Sequence, residues 1–301
     1  MAIIIGVTSF VFGAVIGSFL NVVVYRLPLT LLAGWRNECL QFLKEQNDTK
    51  QSLIDNSDLT TADEPLNITF NIAYPSSHCP ECKAPIKAWQ NIPVVSYLLL
   101  KGKCYACHTK ISPRYPIIEL VTGALTAFVV SQYGDSFGLN AQAGLVLLFT
   151  WSLLVLTVID IDHQLLPDNI TLPLMWLGLL ANAFGLFTDL SSALFGAVFG
   201  YLSLWSVYWA FKLITKKEGM GFGDFKLLAA LGAWLGWQAL PLIIILSSFV
   251  GAVIGVAGIL IYGRDKNIPI PFGPYLAIAG WIAFFWGEQI MQSYLHFAGA
   301  A

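Results

Sequence analysis

The sequence predicts an all-α polytopic membrane protein with about eight transmembrane helices and a cytoplasmic four-cysteine zinc-binding insertion between the first two. Of its 301 residues 56% are hydrophobic and only 11% are charged, a balance that an aqueous protein surface would not tolerate. The apolar residues are gathered in long runs, and four of the five cysteines form two closely spaced pairs. At a net charge of -2, the few dispersed basic residues cannot neutralise a run of phosphates, which excludes nucleic-acid binding.

Eight apolar runs fit membrane-spanning helices. They lie near residues 3–25, 117–133, 141–160, 170–188, 192–214, 225–237, 240–262 and 273–291. The run at 225–237 is short for a full crossing and contains Gly232 and Gly236, so it is either tilted or merged with the next run. The first run lacks a basic leader and ends at Arg26 instead of at a small-residue cleavage site, so we expect it to be retained.

Lysine and arginine indicate the orientation of these spans. Ten of the sixteen lie between the first two spans, and the other six flank the fifth, sixth and seventh spans at ends that an eight-helix count places on the same side. Residues 134–140, 187–192 and 292–301, assigned to the opposite side, contain none. By the positive-inside rule we expect the long loop to face the cytoplasm and both termini to lie outside.

The loop of about ninety residues between the first two spans is too long for a simple connector. Its second half contains two C-x-x-C pairs separated by 21 residues, close to the spacing of four-cysteine zinc sites. The predicted ligands are Cys79, Cys82, Cys104 and Cys107. Four thiolates close the tetrahedral shell and leave no open position, so the zinc would be structural.

Other readings of these cysteines stay open. Two disulfides are the alternative, although a cytoplasmic location disfavours them. His108, next to the second pair, could replace one ligand. Cys39 has no partner motif and is interpreted as an ordinary free thiol. The division suggested by the loop is a first helix with a zinc-knuckle domain over 1–116 and a multi-helix core over 117–301.

Two acidic motifs stand at the predicted cytoplasmic ends of apolar runs. One is Gly219-Met220-Gly221-Phe222-Gly223-Asp224, and the other extends from Asp160 to Asp168. Ionisable groups at membrane depth are costly unless they are paired or used, so two carboxylates that could meet there, one from each motif, suggest an intramembrane aspartic peptidase. Two such groups can share a proton and hold the attacking water without a metal or a nucleophilic side chain.

Helix polarity further suggests which carboxylate is charged. Asp224 begins a helix, whose positive end favours a carboxylate, and Asp160 ends one, whose negative end favours the protonated acid. We therefore expect Asp224 to be the general base and Asp160 the proton donor. A structural role is the competing interpretation, because Asp224 is also a suitable helix cap and Asp160 could lie in a solvated loop.

The complete set of motifs resembles the bacterial type IV prepilin leader peptidases that also N-methylate their product. The resemblance covers nearly the whole chain. It rests on Gly17 to Pro28, the paired cysteine knuckles, Asn91-Ile92-Pro93 with Ser96-Tyr97, Arg114-Tyr115-Pro116 with Glu119, the two acidic motifs, and Pro271-Phe272-Gly273-Pro274. It assigns the catalytic pair to Asp160 and Asp224 and the metal ligands to the four knuckle cysteines.

The resemblance also implies substrates, a cofactor and a location. The substrates would be prepilins and type II secretion pseudopilins, whose short basic leader ends in glycine before a hydrophobic helix. S-adenosylmethionine would donate the methyl group, although the sequence contains no recognisable loop for it. The chain would lie among the lipids of the bacterial inner membrane, with its zinc domain and active site on the cytoplasmic side.

Two other classes of function compete with this interpretation. An ion- or proton-coupled transporter could use the same aspartates, but it would be expected to show internal repeats and a midplane site, and the acids lie at a predicted edge. A membrane-bound zinc scaffold that only recruits partners would not need the aspartates.

Overall fold

The computed structural model describes residues 2–51, 71–134, 140–217, 219–262 and 270–297. Within these residues the chain is helical and contains no β-strand, which confirms the predicted all-α class. The α-helices are α1 (Ala2–Gln51), α2 (Val95–Leu99), α3 (Arg114–Tyr133), α4 (Ala141–His163), α5 (Asp168–Ala183), α6 (Leu190–Thr215), α7 (Phe222–Leu235), α8 (Leu240–Tyr262) and α9 (Gly273–Phe297). Part of the polar insert predicted between the first two spans lies outside the described residues.

Five stretches of helix are long and apolar enough to cross a membrane. They are Ile3–Gln46, Arg114–Tyr133, Ala141–His163, Leu190–Thr215 and Trp237–Gly258. The remaining three predicted spans coincide with α5, α7 and α9, of which α5 has 16 residues and α7 has 14. A helix of 14 residues is about 21 Å long and cannot cross about 30 Å of hydrocarbon. The structure therefore supports a multi-pass protein, with five spans that meet both criteria within the described residues.

The chain forms two compact units. One comprises Val7–Ala127, and the other comprises Met1–Gly6 together with Phe128–Ala301. The functional division suggested at 116/117 stays a prediction, because compactness does not reveal which residues each activity needs.

Helix α7 lies at the centre of the unit that contains residues 128–301, where it packs against α5, α6 and α9. Every residue from Phe225 through Trp234 except Lys226 is buried, so the apolar part of the helix has no solvent- or lipid-facing stripe. A helix that is apolar on every side is buried on every side, whether protein or lipid surrounds it. Here protein surrounds it, which explains why so short a helix is so uniformly apolar.

Asn182 in α5 fixes the end of α7. Its side-chain amide donates hydrogen bonds to the carbonyls of Ala233 and Trp234 at 2.8 and 3.1 Å. Its Oδ1 accepts from the backbone amides of Phe187 and Thr188. The residue is only 1% exposed, so this full set of bonds satisfies a buried polar group and locks α7 to the α5–α6 connection.

Helices α6 and α7 approach closely through two facing glycines. A methyl group built on Gly196 would overlap the carbonyl of Gly232, and one built on Gly232 would overlap the carbonyl of Gly196. Small residues of this kind allow helix backbones to pack tightly inside membrane proteins. The position of α7, and therefore of Asp224, depends on this contact.

We expect Gly196→Ala to lower the free energy of unfolding by about 1–3 kcal/mol, because the added methyl group must push two packed backbones apart. The measurement is denaturant unfolding in mixed micelles. Gly144→Ala on α4 is the matched control, since a methyl group there meets no atom within 4 Å. Equal stability of the two variants would show that the α6–α7 contact can relax freely.

Candidate functional site

Asp160 lies in the last turn of α4 and is 5% exposed. The helix ends because Gln164 takes a left-handed conformation, with φ of 51°, and donates its amide to the Asp160 carbonyl. The side chain of Asp160 points to another element. Its Oδ2 accepts the backbone N–H of Gly273, the first residue of α9, at 3.0 Å.

Asp224 is the third residue of α7 and is 7% exposed. It follows Gly221, whose extended backbone precedes the first helical turn. The carboxyl groups of Asp224 and Asp160 are close enough for a Coulombic interaction. The structure thus brings the two sequence-predicted acids, which come from separate motifs, into one buried environment.

The side chain of Leu166, which belongs to the Asp160–Asp168 motif, packs against Gly223 of the other acidic motif and against Gly273 of α9. A methyl group built on Gly223, next to Asp224, would come within 2.8 Å of Leu166 Cβ. One built on Gly273 would come within 3.1 Å of both Leu166 methyl carbons. Glycine at these two positions therefore lets the loop after α4 fit between the beginnings of α7 and α9.

An ion pair also joins the two acidic motifs. Lys226 Nζ donates to both carboxylate oxygens of Asp168 at 2.7 Å. The side chains are 29% and 51% exposed, so the pair contributes little to stability. Because Lys226 already neutralises Asp168, this carboxylate is not available as the second acid of a pair with Asp160.

Two buried carboxyl groups at helix ends can perform acid–base chemistry without a metal. Two like charges that interact in a buried environment do not both ionise easily, which favours a state in which one group of the pair is protonated. In that state one group accepts a proton from water and the other donates one.

The two C-x-x-C pairs, in the other unit, fold into equivalent knuckles. The amide of Cys79 donates to the Ala84 carbonyl at 3.0 Å, and the amide of Cys104 donates to the Thr109 carbonyl at 2.9 Å. The return bonds match as well, since Lys83 and His108 donate their amides to the carbonyls of the first cysteine of each pair. Lys83 and His108 also share a left-handed φ, 57° and 58°.

These knuckles bring four sulfur atoms together. The Sγ atoms of Cys79, Cys82, Cys104 and Cys107 all lie within 4.8 Å of one another. A tetrahedral zinc site with Zn–S bonds of about 2.3 Å places its sulfurs about 3.8 Å apart. Cys79 Sγ and Cys107 Sγ are 3.8 Å apart, so the donor set fits such an ion. A pair of disulfides does not describe this arrangement, because all five cysteines are free thiols.

The thiols of this cluster ionise unequally. The side chain and backbone of Thr109 lower the pKa of Cys107 to about 6. At Cys82 the Ala84 backbone lowers the pKa, but desolvation and the three neighbouring thiols outweigh it and raise the pKa to about 11. Four adjacent thiolates repel one another, and a bound divalent cation relieves that repulsion.

Sequence reasoning missed three contributors to the aspartate site. Leu166 carries no chemical signal, and only its packing reveals its place. Lys226 has a sequence signal, a lysine two residues after Asp224, but its partner Asp168 is distant in the chain. Gly273, in the Pro271-Phe272-Gly273-Pro274 motif, starts α9 and donates its amide to Asp160, a contact that the motif does not reveal.

Two family models match the chain. Residues 11–133 match the bacterial peptidase A24 N-terminal domain, and residues 147–256 match the type IV leader peptidase family. The first match contains the four cysteines, and the second contains both aspartates.

Similar proteins match over almost their full length. The chain is 53% identical over 290 residues to a prepilin leader peptidase/N-methyltransferase of Stutzerimonas stutzeri, covering 96% of this chain and 93% of that relative. It is 54% identical over 287 residues to a protein of the same name from Pseudomonas aeruginosa, covering 95% and 92%. One from Neisseria gonorrhoeae is 49% identical over 283 residues, covering 94% and 91%. No solved structure gives a significant match.

Proposed function

This chain belongs to the type IV leader peptidase family, and on that basis we propose that it cleaves the short basic leader from type IV prepilins and then methylates the new N-terminus. Its relatives are named for both activities, prepilin leader peptidase and N-methyltransferase. The same chemistry would process type II secretion pseudopilins, provided that they present an equivalent leader.

The observation that carries the peptidase activity is the buried pair Asp160 and Asp224. Each is less than 10% exposed, they interact electrostatically, and they come from different helices. A structural cap would need only one acid at one helix end. Two such acids converging from separate motifs favour catalysis by both.

In the proposed reaction the two carboxyl groups hold one water molecule at the scissile peptide. The ionised aspartate removes a proton from this water as its oxygen attacks the carbonyl carbon, and the protonated aspartate donates to the carbonyl oxygen. As the tetrahedral intermediate collapses, the aspartate that took the water proton gives it to the leaving nitrogen, the C–N bond breaks, and the other aspartate recovers the hydroxyl proton. The products are a carboxyl terminus on the leader and a free α-amine on the pilin. That amine is the methyl acceptor for the second activity.

Charge supports the position of the scissile bond. A basic leader stays on the cytoplasmic side while the hydrophobic helix after it enters the bilayer, so the bond between them lies at the interface. The sequence motifs of Asp160 and Asp224 end or begin apolar helices, where such an interface would fall. We place the enzyme in the bacterial inner membrane with this site on the cytoplasmic side.

We assign a structural zinc ion to Cys79, Cys82, Cys104 and Cys107. The matching backbone geometry of the two knuckles and the spacing of the four sulfurs support this assignment. A shell closed by four thiolates leaves no position for substrate, so the ion would stabilise the fold of the insertion instead of taking part in cleavage. S-adenosylmethionine would supply the methyl group, and no residue of this chain is assigned to it.

The test uses the purified chain in lipid vesicles with a synthetic prepilin that retains its leader. Mass spectrometry follows leader removal and methyl addition separately, with and without S-adenosylmethionine. We expect removal in both conditions and methylation only when the methyl donor is present. An intact leader after incubation, combined with aspartate-dependent proton uptake into the vesicles, would instead support a transporter.

A further inference from the structure

The first turn of α9 presents one backbone donor to the aspartate pair. Pro274 has no N–H, and the amides of Tyr275 and Leu276 both donate to the Phe272 carbonyl. The Gly273 amide donates to a side chain, and its acceptor is Asp160 Oδ2 at 3.0 Å. The Asp160 carboxylate thus caps the N-terminus of α9.

This contact leaves no room for a side chain at position 273. A methyl group built on Gly273 would come within 2.6 Å of Asp160 Oδ2 and within 3.1 Å of Leu166. Asp160 and Leu166 are themselves buried, so neither can move away easily. The close approach is therefore specific to glycine.

A bond from a peptide N–H favours the ionised form of a carboxyl group, because a carboxylate is the stronger acceptor. The positive end of the α9 dipole acts in the same direction. The Gly273 hydrogen bond and the α9 dipole both oppose the negative end of the α4 dipole, which favours the protonated form of Asp160. At Asp160 the hydrogen bond is the more direct of these interactions, since it joins the charged atom itself to a buried donor from another helix. Asp224 has the backbone of Gly221, next to its own first helical turn, as its corresponding partner.

We propose that the Gly273 amide is a positioning group that holds Asp160 as the ionised member of the pair and directs its free oxygen, Oδ1, to the attacking water. Asp160 is then the general base and Asp224 carries the proton that is donated to the carbonyl oxygen. This reverses the assignment expected from helix polarity along the sequence. The inference rests on the proposed peptidase function.

Other charges around the pair do not change this assignment. The other ionisable groups near this end of the helices are Asp162 and His163 of α4, Asp168 of α5, Asp224 and Lys226 of α7, and Tyr275 of α9. The remaining ones on α9, which are Glu288, Tyr294 and His296, lie in its second half. Asp168 and Lys226 neutralise each other in their ion pair, and Asp162 and His163 are exposed. Asp224 is left as the buried acid that interacts with Asp160.

The first test compares Gly273→Ala with Gly287→Ala, a control on the same helix where an added methyl group makes only ordinary contacts at 3.7 Å. We expect Gly273→Ala to lower kcat for leader removal by about tenfold or more with little change in KM, since a charge-assisted hydrogen bond is distorted. The acidic limb of the kcat–pH profile should move up by about one pH unit, because the base is harder to ionise. The control should keep wild-type kcat and the wild-type profile.

A second measurement does not depend on the folding of the Gly273 variant. Infrared difference spectra of the protein at neutral pH should contain a protonated carboxyl band from the pair. We expect that band to be lost in Asp224→Asn and kept in Asp160→Asn. The opposite pattern, or a Gly273→Ala enzyme with wild-type kcat and pH profile, would overturn the assignment.

These outcomes also separate this inference from the function on which it rests. If both aspartate variants still remove the leader, the peptidase proposal fails. If both are inactive while Gly273→Ala behaves like the wild type, the peptidase proposal stands and only the role of Gly273 fails.

Discussion

Asp160→Asn and Asp224→Asn are each expected to lower the rate of leader removal by about a thousandfold or more, because each change removes one half of a coupled acid–base pair. Asparagine has nearly the same shape as aspartate and still accepts a hydrogen bond, so the Gly273 contact and the packing should survive. The measurement is single-turnover cleavage of a prepilin in detergent or lipid. The double variant should be scarcely slower than either single one, since the two groups act as a unit.

The matched control is Asp162→Asn. Asp162 lies on the same helix two residues beyond Asp160 but is exposed to solvent. Its rate should stay within about twofold of the wild type, in line with the small effects of most surface substitutions. An Asp224→Asn enzyme that cleaves at the wild-type rate while its thermal unfolding is unchanged would refute the aspartic mechanism.

The same variants provide a test of the second activity. A prepilin supplied without its leader already has the free α-amine, and its methylation does not require hydrolysis. We therefore expect both aspartate variants to methylate this pre-cleaved peptide. Simultaneous loss of the two activities would indicate that the aspartates maintain the structure.

Cys79→Ser is expected to abolish stoichiometric metal binding and to destabilise the knuckle region. The change removes one of four thiolate ligands, and the remaining three cannot close the tetrahedral shell of the ion. Structural zinc contributes about 10–16 kcal/mol in isolated zinc-finger peptides, which is comparable with the whole stability of a small domain, about 5–15 kcal/mol. Metal content of the purified protein and its susceptibility to proteolysis between residues 71 and 113 are the two measurements. Chelation of the wild-type protein should give the same proteolytic pattern.

Cys39→Ser is the control for this experiment. Cys39 is exposed on α1 and does not belong to the four-sulfur cluster. The variant should retain one metal ion per chain and the wild-type resistance to protease. Full metal content in Cys79→Ser would contradict the four-thiolate site, and His108 would become the next residue to replace.

Much of this arrangement could be predicted from local patterns. The C-x-x-C spacing forces each cysteine pair into a tight turn, and two equal turns produce equivalent knuckles wherever they occur. The acids could be selected because charges are rare in this chain and each stands at the end of an apolar run. Such signals depend only on neighbouring residues and on the cost of burying charge.

The number of spans was harder to predict because hydrophobicity does not reveal what surrounds a helix. The apolar run at 225–237 reads as a short membrane helix, yet α7 is enclosed by α5, α6 and α9. A protein interior and lipid tails are both apolar, so the same helix sequence is compatible with burial in either one. Only the facing glycines Gly196 and Gly232 hint at the tight packing, and their pairing requires the tertiary structure.

Local spacing and the energetic cost of charge in an apolar chain were enough to predict the all-helical membrane class and the two cysteine knuckles, and to select the two acids that we propose as the catalytic pair. The sequence could not show that Leu166 packs against Gly223 and Gly273, that Asn182 secures the end of α7, or that Asp160 caps α9 through Gly273. These contacts join residues that are distant along the chain. No periodicity or motif specifies them, since each depends on how complete helices pack together in space.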